Sequence, residues 1–82
     1  MSRYIDVEVT AEDIAEGTPE DSYDCPLARA LRHAGHWDAC VCNASWRAGE
    51  NWALLPADAI AFIEDFDAGN TVEACVFRLA LP

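Results

Sequence analysis

The chain has 82 residues, with 15 acidic side chains against 5 basic ones and a formal net charge of −10. That length holds one domain, residues 1–82, and a domain so small hides only about 60% of the surface its unfolded chain exposes. The hydrophobic share of 52% and three tryptophans exclude a disordered chain, and all five basic residues are arginine, too few for direct binding to nucleic acid, whose phosphates need Lys and Arg.

The apolar stretches are too short to span a bilayer, and "MSRYIDVEVT" lacks the apolar core of a signal peptide. A cytoplasmic protein without a membrane partner is expected. Eight of the acids fall in the first 24 residues: Asp6, Glu8, Glu12, Asp13, Glu16, Glu20, Asp21 and Asp24. Such a surface keeps an apolar-rich domain soluble, and it also steers a basic partner.

In chain order, Ile5, Val7 and Val9 alternate with Tyr4, Asp6 and Glu8, the pattern of a half-buried strand. Thr10 and Asp13 then form a capping-box pattern for a short helix ending at Gly17. A polar loop leads to a second helix, which Pro26 opens and Gly35 closes. Leu27, Ala30, Leu31 and Ala34 make its apolar face, while Arg32 and His33 complement the dipole at its end. "WDACVCN" reads as a strand, and "RAGEN" as a hairpin turn flanked by Trp46 and Trp52. Pro56 opens a third helix with Ala59, Ile60, Ile63 and Phe66 inward and Asp58, Glu64, Asp65 and Asp67 outward; Gly69 ends it. In the closing strand "TVEACVFRLAL" both faces are apolar, which predicts a central strand or a covered face. The expected fold class is α+β: a small two-layer sandwich with an antiparallel sheet of about four strands and helices on one face. Its order, β-α-α-β-β-α-β, admits a ferredoxin-like topology. Either a monomer or a homodimer accommodates a two-faced last strand.

"HAGHWDACVC", residues 33–42, gathers two histidines and two cysteines. With Cys25, the residues His33, His36, Cys40 and Cys42 are a candidate zinc or redox module. The spacing opposes it: zinc sites favour C-x₂₋₄-C, and alternate strand residues lie about 6.5 to 7 Å apart, farther than two sulfurs on one zinc. Core packing of Cys40 and Cys42 is the simpler reading, and so is a buried or capping Cys25. No metal and no cofactor is assigned. Catalysis has no support either, since no G-x-S-x-G, Walker loop or HExxH motif occurs. Trp46 and Trp52 either pair across the hairpin or stand out as aromatic anchors for a partner.

Three segments carry a resemblance: "VEVTAEDIAEG", "DCPLARALR" and "LPADAIAFIEDFDAGNTVEACVFRLAL". They resemble small uncharacterised acidic proteins of bacteriophages and prophages, which share a T-x-E-D-I-x-x-G start, a C-P-x-A-x-A helix opening and an F-I-x-x-F-D-A-G helix end. The match lies mainly at residues 7–31 and 55–81. It departs where that family has V-x-P-F-x-F-x-L and this chain has "VEACVFRL". The resemblance implies a bacterial host and an anti-defence role of the anti-CRISPR or DNA-mimic kind. Ten charges correspond to about 17 Å of duplex, the width of a small domain. The expected function is then a non-enzymatic inhibitor that binds a basic surface of a host defence or nucleic-acid-handling complex through Glu12, Asp13, Glu16, Glu20, Asp21 and Asp24. An alternative is a small-ligand binder sequestering a host signalling nucleotide, with Arg29, Arg32, Arg47 and the tryptophans contacting phosphate and base.

Overall fold

A computed structural model describes residues 3–82 and shows an α+β protein. The elements are β1 (Tyr4–Val9), α1 (Ala11–Glu16), α2 (Pro26–His33), β2 (Cys40–Val41), β3 (Ser45–Ala48), β4 (Asn51–Leu54), α3 (Ala57–Asp67) and β5 (Cys75–Ala80). The strands form two antiparallel sheets where one was expected: a two-stranded pair, β1–β5, and a three-stranded sheet in the order β2–β3–β4. The ferredoxin-like topology is therefore not adopted. The hairpin contributes both of its arms, which brings the strands to five.

β1 follows its alternation, with Val7 and Val9 buried and Tyr4, Asp6 and Glu8 exposed. Its partner β5 is shorter than the apolar run that contains it, because residues 71–74 form no strand. Phe77 and Leu79 face inward and Val76 is exposed, so β5 pairs on one side only and is not a central strand. At Thr10 the capping box is complete: its hydroxyl accepts from the Asp13 N–H at 3.1 Å, and Asp13 Oδ2 accepts from the Thr10 N–H at 3.2 Å. Gly17 ends α1 where a Cβ would lie 2.7 Å from the Asp13 carbonyl oxygen and 2.9 Å from Pro26 Cδ, so only glycine lets the two helices approach.

The helix ends of α2 and α3 are chemically alike. After α2 the His36 N–H donates to Leu31 O and the Gly35 N–H to Arg32 O; after α3 the Asn70 N–H donates to Asp65 O and the Gly69 N–H to Phe66 O. Each is a Schellman end, with glycine in the left-handed region at φ +102° and +83°. α2 lies at the centre of the molecule, touching α1, β1 and β2, with Leu27, Ala28, Ala30 and Leu31 buried. Ala34 lies exposed at the C-cap rather than on the apolar face. On α3 the buried residues are Ala59 and Phe62, while Ile60, Ile63 and Phe66 are half-buried.

The hairpin turn is Gly49–Glu50, two residues long, with Gly49 at φ +62° and Asp38 accepting its N–H. Glycine with positive φ first in a two-residue loop is the type II′ arrangement. The resulting register sets Trp46 opposite Ala53 and Arg47 opposite Trp52. Trp46 and Trp52 therefore point to opposite faces and do not pair. Trp46 is wholly buried, so it is no anchor for a partner; its Nε1 donates to the Ala80 carbonyl at 2.9 Å and joins the two sheets. Trp52 is 51% exposed.

Candidate functional site

The acids grouped together in the sequence part company in the structure. Asp13 is wholly buried, a correction to its place on the binding surface. Besides capping α1, its Oδ1 lies 3.2 Å from His33 Nδ1 and 3.7 Å from Arg29 Nε. Asp13 is an N3 residue whose helix packs on α2, and α2 aims Arg29 and His33, one helical turn apart, at the same carboxylate. Asp21 serves the turn before α2, its Oδ1 accepting from the N–H groups of Tyr23 and Asp24. Asp24 accepts from the Thr18 hydroxyl at 2.8 Å and pairs with Arg32 at 3.1 Å and Arg29 at 3.6 Å. The Thr18 hydrogen bond, followed by Arg32 and Arg29, holds its carboxyl below the usual aspartate value against an opposing effect of desolvation. Glu12, Glu16 and Glu20 are the members of the set that stand exposed.

Glu20 has φ +59°, in the left-handed region that disfavours a Cβ, and its N–H donates to Asp67 Oδ1 at 2.8 Å. That bond brings Glu20 to one rim of a cleft of about 260 Å³, along with Asp21, Asp67, Ser22, Cys25 and Cys42.

Four of the five arginines are engaged within the molecule. Arg29 and Arg32 are paired as described, Arg78 pairs with Asp6 at 3.3 Å, and Arg47 donates to the Tyr23 hydroxyl while its guanidinium lies 5.8 Å from the Trp52 ring centre. Arg32 also donates to the Tyr23 carbonyl. Arg29 and Arg32 thus share the Asp24 carboxylate, and Arg32 and Arg47 both reach Tyr23. Eleven of the fifteen carboxylates are exposed, so the charge offered to solvent is overwhelmingly negative.

Cys40 and Cys42 come closer than an extended strand would allow, with sulfurs 3.8 Å apart. The strand stops at Val41, and the Cys42 N–H turns back to the Ser45 carbonyl. The rest of "HAGHWDACVC" disperses: His33 faces Asp13, and His36 stands edge-on to Trp46 at 5.3 Å between ring centres. Among the described residues no three His, Cys, Asp or Glu side chains are grouped to hold a metal. No helix of the described residues is long and apolar enough to cross a membrane.

Cys25 is both buried and a cap, its sulfur accepting from the Ala28 N–H at 3.4 Å. Burial pushes its thiol above the ordinary value, overriding the hydrogen bonds from Ala28 and Leu27. The folded state thus prefers the neutral thiol. Its stability contribution is full below the unfolded thiol value of about 8.5 and is lost as pH rises through the higher folded value. Melting temperature is expected to fall as pH rises above about 8.5, and to fall less in Cys25→Ser, which keeps a cap without a thiol. Equal alkaline slopes for the two proteins, from melts at stepped pH, would exclude Cys25 as a source.

No family model, curated protein or solved structure matches this chain.

Proposed function

We propose that the protein is a non-enzymatic interaction protein that docks its acidic surface on the basic, nucleic-acid-handling surface of a host defence complex, as a phage-encoded DNA mimic or anti-CRISPR inhibitor does. The observation that carries this reading is the imbalance of surface charge: four of the five arginines have partners within the chain, Arg78 in an exposed pair with Asp6, while eleven carboxylates are exposed. A second feature agrees with it. The last turn of α3 holds Glu64, Asp65 and Asp67 with no basic residue, at the helix end where the dipole disfavours negative charge. Residues that oppose local stability in this way are expected where a surface serves recognition. The resemblance to phage proteins supplies the biological setting.

The test is capture from a bacterial lysate followed by mass spectrometry. The wild-type chain retains a basic nucleic-acid-binding protein at about 0.1 M salt and releases it at about 0.5 M, where screening shortens the reach of exposed charges. The triple variant Glu12→Lys, Glu16→Lys, Glu20→Lys alters exposed positions, keeps its circular dichroism spectrum and retains at least tenfold less of the partner. Undiminished capture by the triple variant, or a partner held equally well at both salt concentrations, overturns the reading.

A further inference from the structure

A groove of about 490 Å³ lies between α3 and the segment that leads into β5. Its floor is apolar: Phe62 and Phe77 meet edge-to-face with ring centres 5.3 Å apart, and Val72 packs beside them. Its rim is acidic. Asp58, Phe62 and Asp65 follow one another at i, i+4 and i+7 on α3, so a carboxylate lies about one turn to either side of the Phe62 ring. Glu73 supplies a third carboxylate from the opposite wall. Asp58 Oδ1 accepts from the Ala59 N–H and Asp65 Oδ1 from the Asn70 side chain, contacts that restrain both groups. Among the described residues the ion pairs involve Asp6, Asp13 and Asp24, and none involves the rim.

An apolar floor ringed by acids matches a side chain with an apolar stem and a cationic head. We infer that this groove seats a lysine side chain of the partner, with its methylenes on Phe62, Val72 and Phe77 and its ammonium among Asp58, Asp65 and Glu73. Asp58 and Asp65 stand seven residues apart, about 10.5 Å along the helix axis, so the ammonium is held by the summed field of the rim rather than by contact with all three acids; a compact charge suits that place, whereas a guanidinium favours one bidentate carboxylate. The inference rests on the reading that the partner is basic, and adds where and how one cation is held.

The probe is n-butylammonium, the lysine side chain alone, titrated into the full chain and followed by NMR. Saturable shifts are expected at Phe62, Val72 and Phe77 in the millimolar range, with n-butanol and n-butylguanidinium at least tenfold and threefold weaker. The double variant Asp65→Asn, Glu73→Gln weakens butylammonium at least fivefold with unchanged thermal melting, and Glu50→Gln, an exposed acid outside the groove, leaves it unchanged. Absent shifts, equal binding of butanol, or tighter binding of butylguanidinium overturn the assignment. The two readings fail separately. If the double variant still captures the lysate partner while the Glu12, Glu16, Glu20 triple variant does not, the groove is excluded and the acidic surface stands. Butylammonium binding without any captured basic partner retains the groove and rejects the proposed function.

Discussion

Trp46→Ala is expected to remove most of the stability of this protein. Its ring is wholly buried, meets His36 edge-on and is the link through which β3 reaches the Ala80 carbonyl of β5. Truncating a buried tryptophan costs about 3 to 5 kcal/mol. A chain of this length has about 4 to 12 kcal/mol in total. The midpoint of thermal unfolding should drop by roughly 15 to 30 °C, with the population at room temperature partly unfolded at the lower limit. Trp46→Phe separates the two contributions. It keeps most of the apolar bulk but leaves the Ala80 carbonyl without its donor, at a cost of about 1 to 3 kcal/mol. Urea titrations read both values. A midpoint for Trp46→Ala within about 3 °C of wild type would mean that the ring does not join the two sheets.

Asp13→Ala should be the most damaging of the acidic substitutions. It removes the acceptor for the Thr10 N–H and the anion facing Arg29 and His33, from a site with no exposure to water. Losing one member of a buried pair costs about 3 to 5 kcal/mol; Arg29 and His33 are partly exposed and can rehydrate, so about 2 to 4 kcal/mol is expected here. Asp13→Asn keeps an oxygen for the cap and should recover about half of that loss. Glu12→Ala, one residue away but exposed, should lie within about 0.5 kcal/mol of wild type. Denaturant unfolding of the three variants checks the order. An Asp13→Ala protein as stable as Glu12→Ala would return Asp13 to the surface.

The contrast between these neighbours shows where reading the residues in order reaches its limit. The capping pattern at Thr10 and Asp13 is local and was visible in four consecutive residues. That the same carboxylate is covered by α2 depends on how two helices pack, which spacing within one helix does not record. A clue was present: Arg29 and His33 stand four apart on a helix that follows directly and share one side of it. The acids around the Phe62 groove were likewise visible, but as the solvent face of an amphipathic helix. Their role as a rim arises because residues 71–74 leave strand conformation and bring Val72 and Glu73 against α3.

The tryptophan pair shows the same limit at finer scale. "RAGEN" marked a hairpin correctly, but a five-residue loop would have set Trp46 opposite Trp52. The two-residue Gly49–Glu50 turn shifts the pairing by one, and with a side-chain period of two that single step sends one ring to the core and the other to water.

The class of fold, the beginnings and ends of the helices and the faces of β1 follow from the chain alone, because caps, glycines with positive φ and alternation act over a few residues. The division into two sheets, the burial of Asp13, the approach of the Cys40 and Cys42 sulfurs and the lining of the acidic groove come from packing between segments far apart in the chain. These depend on which surfaces meet, and no local pattern encodes that choice.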